Sequence, residues 1–288
     1  MGTELIGITG ATGAVGGKVA RHLTERGFDL RLLVRDPGRA PQLSGAELAI
    51  CAYDDEAAMT RAFLGIDTLF LISAHEAEDR LEQHRRAVAA AAVAEVQKIV
   101  YLSFLAAAPE ATFVLARQHY HTEEFIQGTG ARFVFLRDSL YTDVVPFLVG
   151  ADGVIRGPAN YGRVAWVTRD DVARAAATVL TSADYDGSTF DLTGPESIDL
   201  SETATRLGQF IGRPITYHPE TIEEAYVSRA VYNAPDWEVE GWVTSYAAIA
   251  TGEMDVVTEA VKHLTGRDAM NLEQFLTAHP EGYEHLLA

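Results

Sequence analysis

The chain has 288 residues, a hydrophobic content of 48% and a formal net charge of −18 at pH 7. This length predicts one large domain, or a nucleotide-binding domain with a smaller partner domain. The acidic charge argues against nucleic acids and anionic membranes as partners, because both require a basic surface. Cys51 is the single cysteine, which excludes an intrachain disulfide and a cysteine metal cluster, and no metal site is predicted. Without a signal-peptide pattern or an apolar run of membrane length, we expect a cytoplasmic protein.

The chain begins with an apolar run, a glycine-rich turn and a helical pattern, which together are the context of a dinucleotide-binding fingerprint. Gly10 permits the tight turn, and Gly13 lets backbone N–H groups approach a pyrophosphate. Gly16 lets the helix pack closely against the strand, and the phosphates would lie at the helix N-terminus. The cofactor contacts predicted here are Gly10, Thr12, Gly13, Ala14, Val15 and Gly16.

The second predicted strand, residues 30–34, ends at Arg35. An arginine in this place favours the 2′-phosphate of NADP, and Arg39 can reinforce that contact, so we predict NADPH as the cofactor. Asp36 works against this assignment, although its side chain should point to the other side of the turn. The alternative is that Arg35 is only a solvated loop charge.

Strands are predicted at 46–52, 68–72, 98–102 and 132–136. Three helices alternate with them: one that ends near Leu64, one at 78–96 and one at 116–127. This alternation predicts an α/β fold with a doubly wound parallel sheet of the Rossmann type. Ile72, Ser73 and Ser103 follow two of these strands, at the sheet edge where ligands bind, so we expect them near the cofactor. For Ser103, a strand-end hydrogen bond is an equally good interpretation.

After residue 136 the alternation breaks. Short strands are predicted near 154 and 164, a helix at 169–180 and a strand at 189–192, and the remainder is mostly helical apart from a strand at 215–217. We therefore predict a Rossmann domain of residues 1–137 plus about 164–194, with a smaller substrate-binding domain of residues 138–163 and 195–288. For the cluster of Trp237, Trp242 and Tyr246, core packing is favoured over ligand contact.

The usual chemistry of short-chain dehydrogenases needs Tyr-x-x-x-Lys, in which the lysine lowers the tyrosine pKa. The chain has only three lysines, and none of them lies four residues after a tyrosine. The predicted helix 116–127 instead carries His119 and Glu123 at i, i+4 spacing. A carboxylate there would raise the histidine pKa and orient the ring for proton donation. The alternative is an ion pair on the helix surface.

Several motifs occur in one order along the chain: the turn of Gly10, Gly13 and Gly16, Val34-Arg35-Asp36-Pro37, Leu71-Ile72-Ser73, Gln83-His84-Arg85, His119 to Glu123, and Leu136-Arg137 followed by Tyr141. Together they resemble the NmrA-like atypical short-chain dehydrogenases, in the branch that contains NADPH:quinone oxidoreductase type 2 and triphenylmethane reductase. The resemblance implies an NADP-binding Rossmann domain with a small substrate domain, and His119, Glu123 and Tyr141 as catalytic residues. Two departures are Ala52, where relatives often place an aspartate beside the adenine, and Asp138-Ser139-Leu140 in place of an Asn-Gly turn.

The missing Tyr-Lys pair favours activated acceptors, because the anion formed from a quinone is far less basic than an alkoxide. One hypothesis is therefore an NADPH-dependent oxidoreductase that acts on a quinone-like or other conjugated small molecule. The other is a non-catalytic NADP(H)-sensing regulator that acts through a protein partner. Recruitment to a biosynthetic pathway with a specialised substrate is a third reading, and a homodimer is left open. The candidate substrate lining is Ser73, Ser103, Phe104, Tyr141 and Trp237.

Overall fold

The computed structural model describes residues 4–287. The chain divides into two compact units, each built from separate stretches of sequence. The first unit contains the described residues up to Phe104, Gln118–Arg137 and Val172–Phe190. The second contains Leu105–Arg117, Asp138–Asp171 and the described residues from Asp191 onward. The domain boundaries expected from the sequence stay a prediction.

A seven-stranded sheet forms the centre of the fold. Its strands are β1 (Leu5–Thr9), β2 (Asp29–Val34), β3 (Glu47–Ile50), β4 (Thr68–Ile72), β5 (Lys98–Phe104), β6 (Arg132–Asp138) and, later in the chain, β9 (Thr189–Leu192). The strand order is β3-β2-β1-β4-β5-β6-β9, and the pairs β2–β3, β1–β2, β1–β4 and β4–β5 are parallel. The order reverses between β1 and β4, which is the topological switch point of a Rossmann fold. The predicted doubly wound α/β fold is confirmed.

Four short strands form two further sheets of two strands each: β7 (Val154–Gly157), β8 (Arg163–Val164), β10 (Ile198–Asp199) and β11 (Thr216–Pro219). β7 pairs with β11 in parallel, and β8 pairs with β10 antiparallel. The predicted strands near 154, 164 and 215–217 are thus present, whereas β10 is too short for the sequence pattern to reveal.

The helices are α1 (Ala14–Glu25), α2 (Glu56–Phe63), α3 (Arg80–Val93), α4 (Val114–Gly128), α5 (Arg169–Leu180), α6 (Leu200–Ile211), α7 (Ile222–Arg229), α8 (Asp236–Ala250), α9 (Ala260–Thr265) and α10 (Leu272–Ala278). Short 3₁₀ turns lie at Pro37–Arg39, Thr142–Leu148, Ala230–Tyr232, Pro280–Gly282 and Glu284–Leu286. Within residues 4–287, no helix is long and apolar enough to cross a membrane.

Burial explains why the elements lie where they do. β4 has the sequence Thr-Leu-Phe-Leu-Ile and is buried at four of its five positions, as a strand covered on both faces must be. α1 buries one stripe that includes Val15, Val19 and Leu23 and leaves its other face polar. α3 was expected to reach Val96 but ends at Val93, because Glu95 adopts a left-handed φ of 58° that turns the chain into β5.

Lys98 is a buried lysine in the first unit, 2% exposed at the start of β5. Its ammonium donates to the carbonyl oxygens of Val179 (2.9 Å) and Ser182 (2.6 Å) and lies 2.7 Å from Oδ1 of Asp186. Lys98 is therefore committed to holding the segment after α5 on the sheet. A lysine in this setting serves the fold and is unavailable to activate a tyrosine.

Lys98→Met should lower the free energy of unfolding by about 3 kcal/mol, because it strips two carbonyls and a largely buried carboxylate of their donor. Urea denaturation followed by circular dichroism measures the change. Lys262→Met is the matched control: its ion pair with Asp268 is exposed on both sides, so that variant should unfold like the parent. Equal midpoints for the two variants would contradict the structural role of Lys98.

Candidate active site

The turn after β1 depends on the absence of side chains at two glycines. Gly10 has φ of 60°, the left-handed region that glycine adopts without strain. A Cβ on Gly16 would lie 2.4 Å from the carbonyl oxygen of Gly10, so only glycine allows α1 to pass so close to the turn. The N–H of Gly13 closes the turn by donating to the carbonyl of Gly10 at 2.8 Å. These contacts reproduce the roles expected of Gly10 and Gly16 in the fingerprint.

The N-terminus of α1 is open to an anion. Gly13 precedes the helix without a side-chain cap, and the first turn contains no acidic residue. Thr12, Gly13 and Ala14 are exposed, whereas Val15 is buried and supports the turn from below. Unpaired N–H groups and the helix dipole therefore point at solvent, in the arrangement that binds a pyrophosphate.

Arg35 and Arg39 are both exposed at the end of β2. The carboxylate of Asp36 accepts the N–H of Gly38 at 2.9 Å and so caps the 3₁₀ turn in which Arg39 lies. The Asp36 carboxylate is thus engaged within the loop. Its charge is therefore a weaker argument against binding of the NADP 2′-phosphate than the sequence suggested. Among the described residues, neither arginine forms an ion pair, so both guanidinium groups are available to a phosphate.

A cleft of about 230 Å³ runs along the carboxyl ends of β1, β2 and β4. Five predicted cofactor residues line it: Gly10, Thr12, Arg35, Ile72 and Ser73. The lining that the sequence did not reveal includes Tyr53, Asp54, Met59, His75 and Gln83. Ala52 also lines the cleft, and Asp54, two residues further on, brings a carboxylate to it. The residues present fit a dinucleotide.

Cys51 lines the same cleft, and burial raises the pKa of its thiol to about 11. Tyr53 closes the bottom of the cleft. Its hydroxyl lies 3.0 Å from Oγ1 of Thr9 and hydrogen bonds to the carbonyl oxygen of Ile72. Thr9 in turn accepts the N–H of Ile72 at 2.8 Å, so one phenol and one hydroxyl tie the ends of β1 and β4 together. An aromatic residue directly after the third strand is the signal that could have identified Tyr53.

His119 does not pair with Glu123. Its Nε2 lies 2.9 Å from the guanidinium of Arg80, which can only donate, so Nε2 must be the acceptor. Nδ1 then carries the proton and donates to the hydroxyl of Tyr101 at 2.9 Å. Burial, followed by the charge of Arg80, holds the His119 pKa well below 6.5. The expectation of a raised pKa is wrong, because the ring is 6% exposed and meets a cation instead of a carboxylate.

His84 repeats this arrangement one helix away. Its Nε2 accepts the N–H of Ala74 at 2.9 Å, so its Nδ1 donates to Oγ1 of Thr122 at 2.8 Å. Arg80 donates from Nε to the carbonyl of Ala74 at 3.0 Å. Both backbone polar groups of Ala74 are therefore held by buried side chains. Because Ala74 lines the cofactor cleft, this network fixes the wall of the cleft after β4.

Glu123 is bound by residues from two neighbouring strands. Its carboxylate accepts the hydroxyl of Ser103 at 2.6 Å and both Nε (2.9 Å) and Nη2 (2.5 Å) of Arg137. Ser103 is 1% exposed, and its hydroxyl is engaged in this hydrogen bond, while its contact with the cofactor stays a prediction. The strand-end interpretation of Ser103 agrees with this geometry.

Tyr141 belongs to a second polar group, in the second unit. Its hydroxyl donates to Oδ2 of Asp138, and the guanidinium carbon of Arg169 lies 4.7 Å from the centre of its ring. Burial raises the pKa of the Asp138 carboxyl to about 7, and burial together with Asp138 raises the pKa of Tyr141 well above 10. The pair can hold or release one proton near neutral pH.

The fold and the cleft are those of an NAD(P)-binding protein of the Rossmann type, and the sequence contains no Tyr-x-x-x-Lys motif. Residues 10–183 match a family model described as NAD(P)H-binding. The chain belongs to this NAD(P)H-binding, NmrA-like family, which confirms the resemblance seen in the sequence. The predicted class of enzyme and the NADP-type cofactor are confirmed as well by the relatives below.

One relative is the (4-alkanoyl-5-oxo-2,5-dihydrofuran-3-yl)methyl phosphate reductase of Streptomyces griseus, 32% identical over 97% of this chain and 99% of its own. The NADPH-dependent quinone oxidoreductase of Escherichia coli, solved with NADPH, is 29% identical with a TM-score of 0.87, covering 95% of this chain and 99% of its own. The triphenylmethane reductase of Citrobacter sp., solved with NADP(H), is 30% identical with a TM-score of 0.85, covering 95% and 99%.

Arg35→Ser should raise the Kd for NADPH about tenfold and leave the Kd for NADH unchanged, because only NADPH offers the 2′-phosphate. Calorimetric titration with both cofactors gives the two constants. Arg267→Ser removes an exposed arginine of the second unit and is the control for the loss of one positive charge. An equal loss of affinity for NADH would place Arg35 away from the 2′ position.

His119→Ala should lower the free energy of unfolding by about 3 kcal/mol, since the buried guanidinium of Arg80 loses an acceptor. NADPH should also bind more weakly, because Ala74 is held less firmly. His121→Ala on the same helix is the control, because His121 is exposed in its pair with Glu124. If His119→Ala keeps full stability and removes a pKa from the profile of kcat against pH, then His119 is an acid and not a positioning residue.

Proposed function

We propose that the protein is an NADPH-dependent reductase of quinone-like or other conjugated small molecules. The named relatives support this proposal, since one is a quinone oxidoreductase, one reduces triphenylmethane dyes and one acts on an acylated dihydrofuranone. In the proposal, NADPH is held by Gly10, Thr12, Gly13, Ala14, Val15, Gly16, Arg35, Arg39, Ile72 and Ser73. Ser103, hydrogen-bonded to Glu123 at the end of β5, completes the residues proposed for the cofactor site.

The hydrogen bonding and the lowered pKa of His119 are the observations that favour a conjugated hydride acceptor. Both ring nitrogens are committed to protein groups, and its pKa is too low for it to hold a second proton at neutral pH. His119, the residue of α4 expected to act as an acid, is therefore not a proton donor at neutral pH. Bound NADPH would supply the hydride, and positioning is then the main requirement. An acceptor that becomes a delocalised, weakly basic anion suits such a site.

Within the second unit, the pair of Asp138 and Tyr141 can exchange one proton near neutral pH. When Asp138 is protonated it can donate to the Tyr141 oxygen, which frees the phenol hydrogen for another acceptor. When Asp138 is ionised it holds the phenol hydrogen for itself. Two other charged groups face this pair. The guanidinium of Arg169 lies over the Tyr141 ring, and the carboxylate of Asp143 accepts the backbone N–H of Arg169 at 3.0 Å.

The regulator hypothesis rests only on the missing Tyr-Lys pair, and no contact in either unit favours it. It remains one outcome of the turnover experiment that follows.

The purified protein should oxidise NADPH at least a hundredfold faster with a naphthoquinone than with cyclohexanone, whose alkoxide product needs a strong acid. NADPH absorbance measures both rates, and a conjugated enone and a triphenylmethane dye complete the set. Tight NADPH binding without turnover of any acceptor would defeat the proposal and favour a cofactor sensor.

Asp138 should make the free energy of unfolding fall as pH rises from about 4 to about 7, because the carboxyl keeps its proton in the folded protein and loses it in the unfolded chain. Urea denaturation at a series of pH values measures this slope. Asp138→Asn should remove this part of the slope, and His121→Ala is the control that should keep it. A slope that Asp138→Asn leaves unchanged would show that the Asp138 carboxyl is already ionised in the folded protein.

A further inference from the structure

The second unit contains a cavity of about 730 Å³, within the range of small-molecule sites in proteins. Four aromatic rings form much of its wall: Phe147, Tyr232, Trp242 and Tyr246. Core packing was favoured for Trp242 and Tyr246 from the sequence, but the structure places both on the cavity wall. Phe147 and Tyr232 are 66% and 68% exposed, so the cavity presents large apolar groups to water.

The aromatic walls are held in fixed places. The rings of Tyr232 and Trp242 meet edge to face with centroids 5.7 Å apart. The ring of Tyr246 lies against β7 so closely that a Cβ on Gly157 would come within 2.3 Å of it. On its other side the guanidinium of Arg229 lies 5.4 Å from the ring centre. A site with preformed walls can bind a flat ring without first paying to order them.

The charges of the cavity are balanced by the protein itself. Arg229, 8% exposed, donates to Glu220 at 2.9 Å, to the carbonyl of Ala225 at 3.0 Å and to Oγ of Ser228 at 3.0 Å. Arg156, the other arginine of the lining, forms two hydrogen bonds with Asp152, at 2.6 and 3.0 Å. Burial, partly offset by Arg229, raises the pKa of Tyr246 to about 12, so this phenol stays neutral.

We propose that this cavity binds an uncharged, planar aromatic or quinonoid molecule and discriminates against anionic ones. A flat ring gains apolar contact with four aromatic side chains. A sulfonate, phosphate or carboxylate finds both arginines occupied by carboxylates, and its desolvation would go uncompensated. The choice of a quinone as the probe rests on the proposed function, whereas binding to the cavity requires neither cofactor nor turnover.

The test is calorimetric titration of the full chain, without NADPH, with 2-methyl-1,4-naphthoquinone and with 1,4-naphthoquinone-2-sulfonate. The neutral quinone should bind at least tenfold more tightly than the sulfonate. Tyr232→Ser should weaken binding of the neutral quinone at least fivefold, and because Tyr232 is largely exposed this variant should fold. Tyr161→Ser, at a tyrosine that is 87% exposed and lies outside the cavity lining, should bind like the parent.

A gain-of-function variant tests the charge argument directly. Asp152→Asn removes the negative charge that balances Arg156 and should tighten sulfonate binding several-fold while leaving the neutral quinone unchanged. Equal or tighter binding of the sulfonate by the parent would overturn the proposal, as would Tyr232→Ser without effect. Binding that follows these patterns in a protein that reduces no quinone would uphold the cavity and reject only the proposed function.

Discussion

The first unit depends on a guanidinium that is buried without a carboxylate partner. Within residues 4–287, Arg80 forms no ion pair, and its donors go to the carbonyl of Ala74, the amide oxygen of Gln118 and the ring of His119. Because a buried charge needs acceptors on all sides, it dictates the protonation of its neighbours. Desolvation lowers the pKa of Arg80 but leaves the group a donor only. Arg80 thus sets the tautomer of His119, adds to the effect of burial on the His119 pKa and holds the carbonyl of Ala74.

This arrangement replaces a catalytic pair by a structural one. In a Tyr-Lys enzyme the cation beside the sheet lowers the pKa of a group that touches substrate. Here the cation is Arg80, and burial together with its charge lowers the pKa of two histidines, His84 and His119. The only buried lysine in the described chain, Lys98, binds two carbonyl oxygens and Asp186. This arrangement supports the proposed function, because hydride transfer to a conjugated acceptor needs less help from an acid than reduction to an alkoxide.

The sequence predicted the sheet well because buried parallel strands are short apolar runs between turn residues; β4, α5 and β9 begin and end as expected. The glycine turn could be predicted equally well, since strand, glycines and helix are contiguous.

The polar networks could not be predicted from the sequence, because their members are distant along the chain. The i, i+4 spacing suggested that Glu123 meets His119, but Arg137 and Ser103, from β6 and β5, reach that carboxylate first. Likewise Asp54 and Gln83 reach the cleft through the fold, and no local pattern announces them.

The setting of Cys51 has a chemical consequence for a protein that would handle quinones. Quinones are electrophiles that add to thiolates, and an ordinary thiol is a few per cent ionised at pH 7. Because burial raises its pKa to about 11, Cys51 carries far less thiolate at that pH than an ordinary thiol does. The chain has no other cysteine. Its lone thiol, although it borders the cleft, is thereby less prone to arylation, and the polypeptide gains chemical durability against the very compounds it would convert.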